Sequence, residues 1–211
     1  MGSGRTEVGE ALFGIDPLLS GRVAMGGHQI NLKDVPSALG KGIAYVSEDR
    51  KGLGLHQDLS VLENFALPSL PTFGNPFLKL KEITEAFGKW TTRLGIKVGS
   101  PVQPVKQLSG GNQQKVVLAK WLETHPKVLI LDEPTRGIDV NSKREIYRIV
   151  RDLSASGLSV ILISSEMQEL IGLCDRVCVM RHGKISGTLE GTQITEENMI
   201  RLASGVSGEL N

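Results

Sequence analysis

The run Leu108-Ser109-Gly110-Gly111-Asn112-Gln113-Gln114-Lys115 is followed downstream by the apolar stretch Val128-Leu129-Ile130-Leu131 and the carboxylate pair Asp132-Glu133. No other feature constrains the fold as strongly. A strand with acidic residues at its C-terminal end lies where open α/β sheets bind ligands. A Ser-Gly-Gly step opening a helix can present bare backbone N–H groups to an anion. Ser109 can cap that helix, and glycine lets a backbone be approached without a Cβ in the way. Two glycines in a helix disfavour it by roughly 1 kcal/mol each, so their presence calls for a reason other than helix stability. Read alone, an apolar run ending in Asp-Glu is equally a solvated acidic turn closed by Pro134. The pairing of the two motifs favours an α/β fold with a site for an anionic ligand.

Composition sets the broad class. The 211 residues suit one domain of ordinary size with room for an inserted subdomain. Hydrophobic residues at 40% and charged residues at 22% fit a globular protein. A net charge of +1 gives no electrostatic reason to invoke nucleic acid or an anionic membrane. No apolar run approaches the roughly 20 residues that span a bilayer, and the Gly-rich polar N-terminus does not resemble a signal peptide. A cytosolic chain is expected, with any membrane link running through a partner. Cys174 and Cys178 read as buried or semi-buried thiols, and His28, His56, His125 and His182 lack ligand spacing.

The periodicity predicts a short helix over Glu7–Phe13, hairpin pieces Gly21–Met25 and Gln29–Leu32 around Gly26-Gly27, and a strand Ile43–Val46. Between Ser60 and His125 the texture becomes helical, with Val61–Ala66, Ile83–Leu94 and Asn112–Thr124 separated by a Pro/Gly-rich loop, Pro68–Pro76. Strand Val128–Asp132, helix Ser142–Ser154 and strand Ser159–Ile163 follow. The last of these is apolar enough to be covered on both faces of a parallel sheet. Helix Glu166–Leu173, a hairpin turning at His182-Gly183 and a helix near Glu196–Ala203 close the chain. The expected organisation is a core over 1–58, a helical subdomain over 59–126 and a returning core over 127–211.

These motifs, with Arg136-Gly137-Ile138-Asp139 downstream, resemble the signature and Walker B motifs of the ATP-binding cassette (ABC) ATPases. The resemblance covers nearly the whole chain and implies an α/β P-loop NTPase core with an inserted helical subdomain. It implies ATP and Mg²⁺ as cofactors, with Asp132 and Thr6 on the metal and Glu133 as the catalytic base. Leu108, Ser109, Gly110, Gly111 and Gln113 would close over the ATP of a facing, head-to-tail cassette, and Asp139 would lie in the D-loop at that interface. In the family, nucleotide binding closes two cassettes, hydrolysis reopens them, and a membrane permease is driven through its cycle.

Three positions depart from the family pattern. In G-x-x-x-x-G-K-[ST] the last three places are taken by Gly4, Arg5 and Thr6, and the first glycine would precede Met1. An opening strand and the start of the phosphate loop are therefore expected to be truncated, and the aromatic that stacks on adenine is not seen. Gly2, Ser3 and Gly4 can still cradle phosphates through backbone N–H groups, although a Gly-rich leader foreign to the fold would read the same way. Arg5 is a larger, planar substitute for an ammonium. Glu48 stands at the Q-loop glutamine and Glu166 at the switch histidine, and both add negative charge beside a polyphosphate.

With Ser47-Glu48-Asp49-Arg50-Lys51 and Ser164-Ser165-Glu166-Met167, these departures resemble the second, degenerate cassette of bacterial monosaccharide importers of the ribose, galactose and xylose type. That resemblance implies a partner cassette, permease subunits, an indirect link to a periplasmic sugar-binding protein, no nucleic acid, and a place on the inner face of the plasma membrane. It also implies a weak or inactive site of the chain's own. A self-standing homodimeric ATPase and a non-catalytic regulatory module are the alternatives. Ser47–Gly54 either faces the permease or is a solvated loop.

Overall fold

The computed structural model describes residues 2–74 and 77–205. It opens with α1 (Arg5–Phe13), the hairpin β1 (Val23–Met25) and β2 (His28–Ile30), α2 (Val35–Gly40) and β3 (Ile43–Val46). Next come α3 (Val61–Ala66), α4 (Leu70–Phe73), α5 (Leu80–Leu94) and α6 (Gly110–Leu122). Then β4 (Val128–Asp132), α7 (Val140–Ala155), β5 (Ser159–Ile163) and α8 (Met167–Leu173) alternate, before the hairpin β6 (Arg176–Arg181) and β7 (Lys184–Glu190) and the final α9 (Glu196–Ser204).

The strands β3, β4 and β5 form a parallel sheet in that order, with Val46 beside Leu131 and Asp132 beside Ile163. Successive strand residues point to opposite faces, and the cores follow that alternation. Ala44, Val46, Leu129 and Leu131 join α6, α7 and the helices between β3 and β4 in one apolar cluster. Ile43, Tyr45, Ile130 and Ile163 pack with Phe13 and Ala38 on the other face. Ile146, Ile149, Val150 and Leu153, one stripe of α7, are all buried. Because the strands are parallel, their C-terminal ends bring the residues after Val46, Leu131 and Ile163 to one rim of the sheet.

Several local expectations need correction. Helix α2 was not expected, although Asp34 and Ser37 form a capping box: the Ser37 N–H donates to Asp34 Oδ1 at 2.8 Å, and the Asp34 N–H to Ser37 Oγ at 3.1 Å. Much of the expected loop Pro68–Pro76 is helical, through a 3₁₀ turn at Leu67–Ser69 and then α4. Phe73 is drawn inward, with its ring 6.5 Å from that of Phe65; Asn75 and Pro76 lie outside the described residues. Strand β5 is not covered on both faces: it is the last strand of its sheet, and Ile161 is 40% exposed. Cys174 is half-buried as expected, but Cys178 is exposed, because it lies on the outward side of β6.

Candidate functional site

The rim gathers residues widely separated in sequence. Gly4 stands at the N-terminus of α1 with φ +87°, a left-handed conformation that glycine adopts without strain. The Ser3 carbonyl accepts from the Gly183 N–H at 3.1 Å, so the loop leans on the β6–β7 turn. Arg5 turns toward the segment after β5, where its Nη1 donates to the Ser164 carbonyl at 2.7 Å.

Asp132 ends β4 and is fully buried. Its Oδ2 accepts from the Tyr45 hydroxyl at 2.9 Å, while Oδ1 is buried with no hydrogen-bond partner. Burial pushes the Asp132 carboxyl up, and the hydroxyls of Thr6 and Tyr45 act against that shift. An unpaired buried acceptor costs about 1–3 kcal/mol, and a hard cation would relieve it. One carboxylate and one hydroxyl suit Mg²⁺, which keeps several waters and takes phosphate oxygens as further ligands. Among the described residues no cluster of three or more His, Cys, Asp or Glu is placed to hold a metal by itself. The donor set therefore fits a cation that arrives with a polyanion.

Glu133 follows with φ +45°, an uncommon conformation for a non-glycine residue. Its N–H donates to the Ile163 carbonyl at 2.8 Å, which extends the β4–β5 pairing past the strand end. That turn carries the side chain away from Asp132 toward Ser165, whose Oγ donates to Glu133 Oε2 at 3.1 Å. The two adjacent carboxylates thus face different surroundings, one dry and one partly solvated.

Three consecutive residues after β5 each hold a different segment. Ser164 takes Arg5, Ser165 takes Glu133, and the Glu166 carboxylate accepts from Lys143 of α7 at both oxygens, at 2.7 Å for Oε2. The bond to Glu166 holds Lys143 above the ordinary lysine range. Glu48, after β3, pairs with Arg136 Nη1 at 2.9 Å. Beneath them Glu169 is 1% exposed, accepts from Thr135 Oγ1 at 3.2 Å, and has its carboxyl pushed up by burial.

The sequence reading did not single out Tyr45, Lys143, Thr135 or Glu169, and it treated Arg136 only as part of a run. Tyr45 and Asp132 are 87 residues apart, and Arg136 and Glu48 are 88 apart. No local pattern announces pairs of that separation.

The glycine-rich helix start lies against the segments that follow β3 and β4, since a Cβ at Gly110 would stand 3.3 Å from Arg50 Nη2 and 3.6 Å from the Gly137 carbonyl. Ser109 is exposed and caps α6, with its side chain accepting from the Asn112 N–H. Leu108, Gly111 and Gln113 face inward; Gln113 Nε2 donates to the carbonyls of Val105 and Leu108, each at 3.3 Å. Gly111 is required by packing, since a Cβ there would stand 2.5 Å from Ser142 Cβ. Gly110 meets Arg50, whose guanidinium is partly buried and lowered in pKa by that burial. Asp139 is exposed and caps α7, accepting from the Ser142 N–H at 3.0 Å, a bond that lowers its carboxyl. No helix among the described residues is long and apolar enough to cross a membrane.

Comparison with known proteins adds three findings. The family model described as ABC transporter matches residues 1–136. A putative ribose/galactose/methyl galactoside import ATP-binding protein of Pseudomonas fluorescens is 47% identical over 98% of this chain and 40% of its own length. The ribose import ATP-binding protein RbsA of Bacillus subtilis is 45% identical over 97% and 42%. The chain thus spans about 40% of the length of these relatives. Among solved structures, cbiO1 from Clostridium perfringens, part of the transporter complex cbiONQ, superimposes with TM-score 0.76 at 26% identity, covering 95% of this chain and 78% of its own. The post-hydrolysis dimer of the cassette MJ0796 bound to ADP and Pi superimposes with TM-score 0.75 at 19% identity, covering 89% and 81%, a likeness of fold alone.

Proposed function

The chain belongs to the ABC transporter family, with the α/β fold of an ATP-binding cassette, and on that premise we propose that it serves as one cassette of a bacterial monosaccharide importer. Its core would comprise 1–58 and 127–211, with 59–126 as the helical subdomain. In this reading it pairs head-to-tail with another cassette and reaches the membrane through permease subunits, with a periplasmic sugar-binding protein upstream. The relatives' names support monosaccharide import, and the chain's own rim supports nucleotide binding.

The single observation that carries the nucleotide reading is the orphaned, buried Oδ1 of Asp132 close to Thr6. Asp132 and Thr6 would hold Mg²⁺, which when bound screens phosphate charge and fixes its geometry. Gly2, Ser3 and Gly4 would meet phosphate oxygens through backbone N–H groups at the start of α1. Glu133, only partly solvated and anchored by Ser165, would accept the proton of an attacking water. Ser109, Gly110 and the neighbouring Leu108, Gly111 and Gln113 would serve the partner's nucleotide, with Asp139 at the same interface.

We also propose that the chain's own site is weak. Arg5 is tied to the Ser164 carbonyl, and Glu48 and Glu166, which flank the site, are each closed into an ion pair with Arg136 and Lys143. Arg5, Glu48 and Glu166 are thus each engaged by other groups of the protein. Single-turnover hydrolysis in a tandem protein with this chain as second cassette tests both parts. Glu133→Gln should remove little of the total turnover, whereas the equivalent change in the first cassette should remove most of it. Equal losses would overturn the weak-site reading.

A further inference from the structure

Tyr45 is held on every side. Its ring is 4% exposed and stacks on Phe13 at 5.6 Å and 28°, and Phe13 meets Trp121 of α6 edge-on at 5.4 Å and 88°. Gly9 of α1 leaves the ring just enough space, since a Cβ there would stand 3.0 Å from both Tyr45 Cε2 and Ile163 Cδ1. A ring packed in this way cannot swing, so its hydroxyl is a fixed donor, 2.9 Å from Asp132 Oδ2.

The terminal torsion of an aspartate is broad and roughly two-fold. Left alone, the plane of the Asp132 carboxylate can turn over a broad range of angles. The rigid Tyr45 hydroxyl on Oδ2 fixes that angle and leaves the other oxygen, Oδ1, buried without a hydrogen-bond partner, with the Thr6 hydroxyl also acting on the carboxyl. We infer that Tyr45 is a positioning residue for Asp132, holding Oδ2 so that Oδ1 is presented to a divalent cation. The inference rests on the reading of Asp132 as the metal carboxylate. Tyr45 itself does not touch the cation. Its effect is that of an outer-shell partner, whose removal typically costs 10–100-fold in metal affinity.

The test is nucleotide binding, without turnover, in the full-length protein. The affinity for a fluorescent ATP analogue is measured in EDTA and in Mg²⁺, and the ratio is the metal-linked gain. Asp132→Asn should abolish the gain at this site and so define the baseline. Tyr45→Phe, which keeps the ring stack, should cut the gain about 10-fold while leaving the affinity in EDTA unchanged. A purely structural role would weaken both affinities together. If Tyr45→Phe does not fold, Phe13→Leu loosens the ring with the hydroxyl retained and should lower the gain in the same selective way. A normal gain in the folded variant, beside a lost gain in Asp132→Asn, overturns the inference. A gain that survives Asp132→Asn, or wild-type affinity indifferent to Mg²⁺, overturns the reading of Asp132 instead.

Discussion

Arg5 Nη1 donates to the carbonyl of Ser164 at 2.7 Å, joining the start of α1 to the turn after β5 across 159 residues. The guanidinium that stands where a phosphate-binding ammonium is expected is thereby directed at the protein's own backbone. Replacing it with lysine removes the planar fork and offers a compact, rotatable charge. Arg5→Lys should raise affinity for an ATP analogue about fivefold, of the order of one hydrogen bond. It should also speed amide exchange in the Ser164–Glu166 turn. Weaker binding would mean that Arg5 already serves the phosphates.

The Lys143–Glu166 pair is partly exposed, with 22% and 43% of the two side chains accessible, so its stabilising effect is small. A coupling of about 0.5–1 kcal/mol is expected from a double-mutant cycle built with Lys143→Met and Glu166→Gln in urea unfolding. Added salt should reduce it. The reversed pair, Lys143→Glu with Glu166→Lys, should recover part of the stability that either reversal alone removes. Strict additivity of the single variants would show that the two charges do not interact.

Gly111 and Gly110 should respond differently to alanine. At Gly111 a Cβ would meet Ser142 Cβ at 2.5 Å, an atom fixed to the α7 backbone, whereas at Gly110 the nearest atom is Arg50 Nη2, the end of a flexible chain, at 3.3 Å. Gly111→Ala should cost about 1–3 kcal/mol through overpacking, and Ser142→Gly should relieve it. Gly110→Ala should leave the denaturation midpoint close to wild type. Equal effects at the two positions would contradict the close approach of α6 and α7.

Lys120 is 6% exposed, donates to the Gly54 carbonyl, and is lowered by burial to about 8. The unfolded chain holds that proton up to the ordinary lysine value of about 10.4. Between those two pH values the unfolded state binds more protons than the folded one, so this residue makes stability rise with pH there. Below about pH 8 both states are charged, and the burial cost is carried in full. The stability difference between wild type and Lys120→Met should therefore shift in favour of wild type from pH 8 to 10. A pH-independent difference would place the Lys120 ammonium in solvent.

Much of the fold was legible because its signals are local. Strands Ile43–Val46, Val128–Asp132 and Ser159–Ile163 are built on continuous apolar stretches, and α6 starts at the Ser109-Gly110-Gly111 step. Helix α2 carried a local signal too, the Asp34–Ser37 capping pair, which the sequence reading passed over. The five-residue π-turn at Arg50–Gly54 was missed because one turn has no period at all. Leu67–Phe73 contains two prolines, which argue for a loop, yet both occupy early helical positions where no N–H is needed.

The order and spacing of Leu108–Lys115, Asp132-Glu133 and Arg136–Asp139 determined the family and the α/β core, because such motifs need only neighbouring residues to present backbone N–H groups and carboxylates. The departures at Arg5, Glu48 and Glu166 were equally visible in the sequence. What engages those residues was decided by the tertiary structure alone. Parallel pairing of β3, β4 and β5 brings three strand ends to one rim, and only there does Tyr45 meet Asp132, Arg136 meet Glu48, and Arg5 meet Ser164. Hydrogen bonds and ion pairs act over a few ångströms whatever the separation along the chain, so their partners are set by strand register and helix packing rather than by any pattern in the sequence.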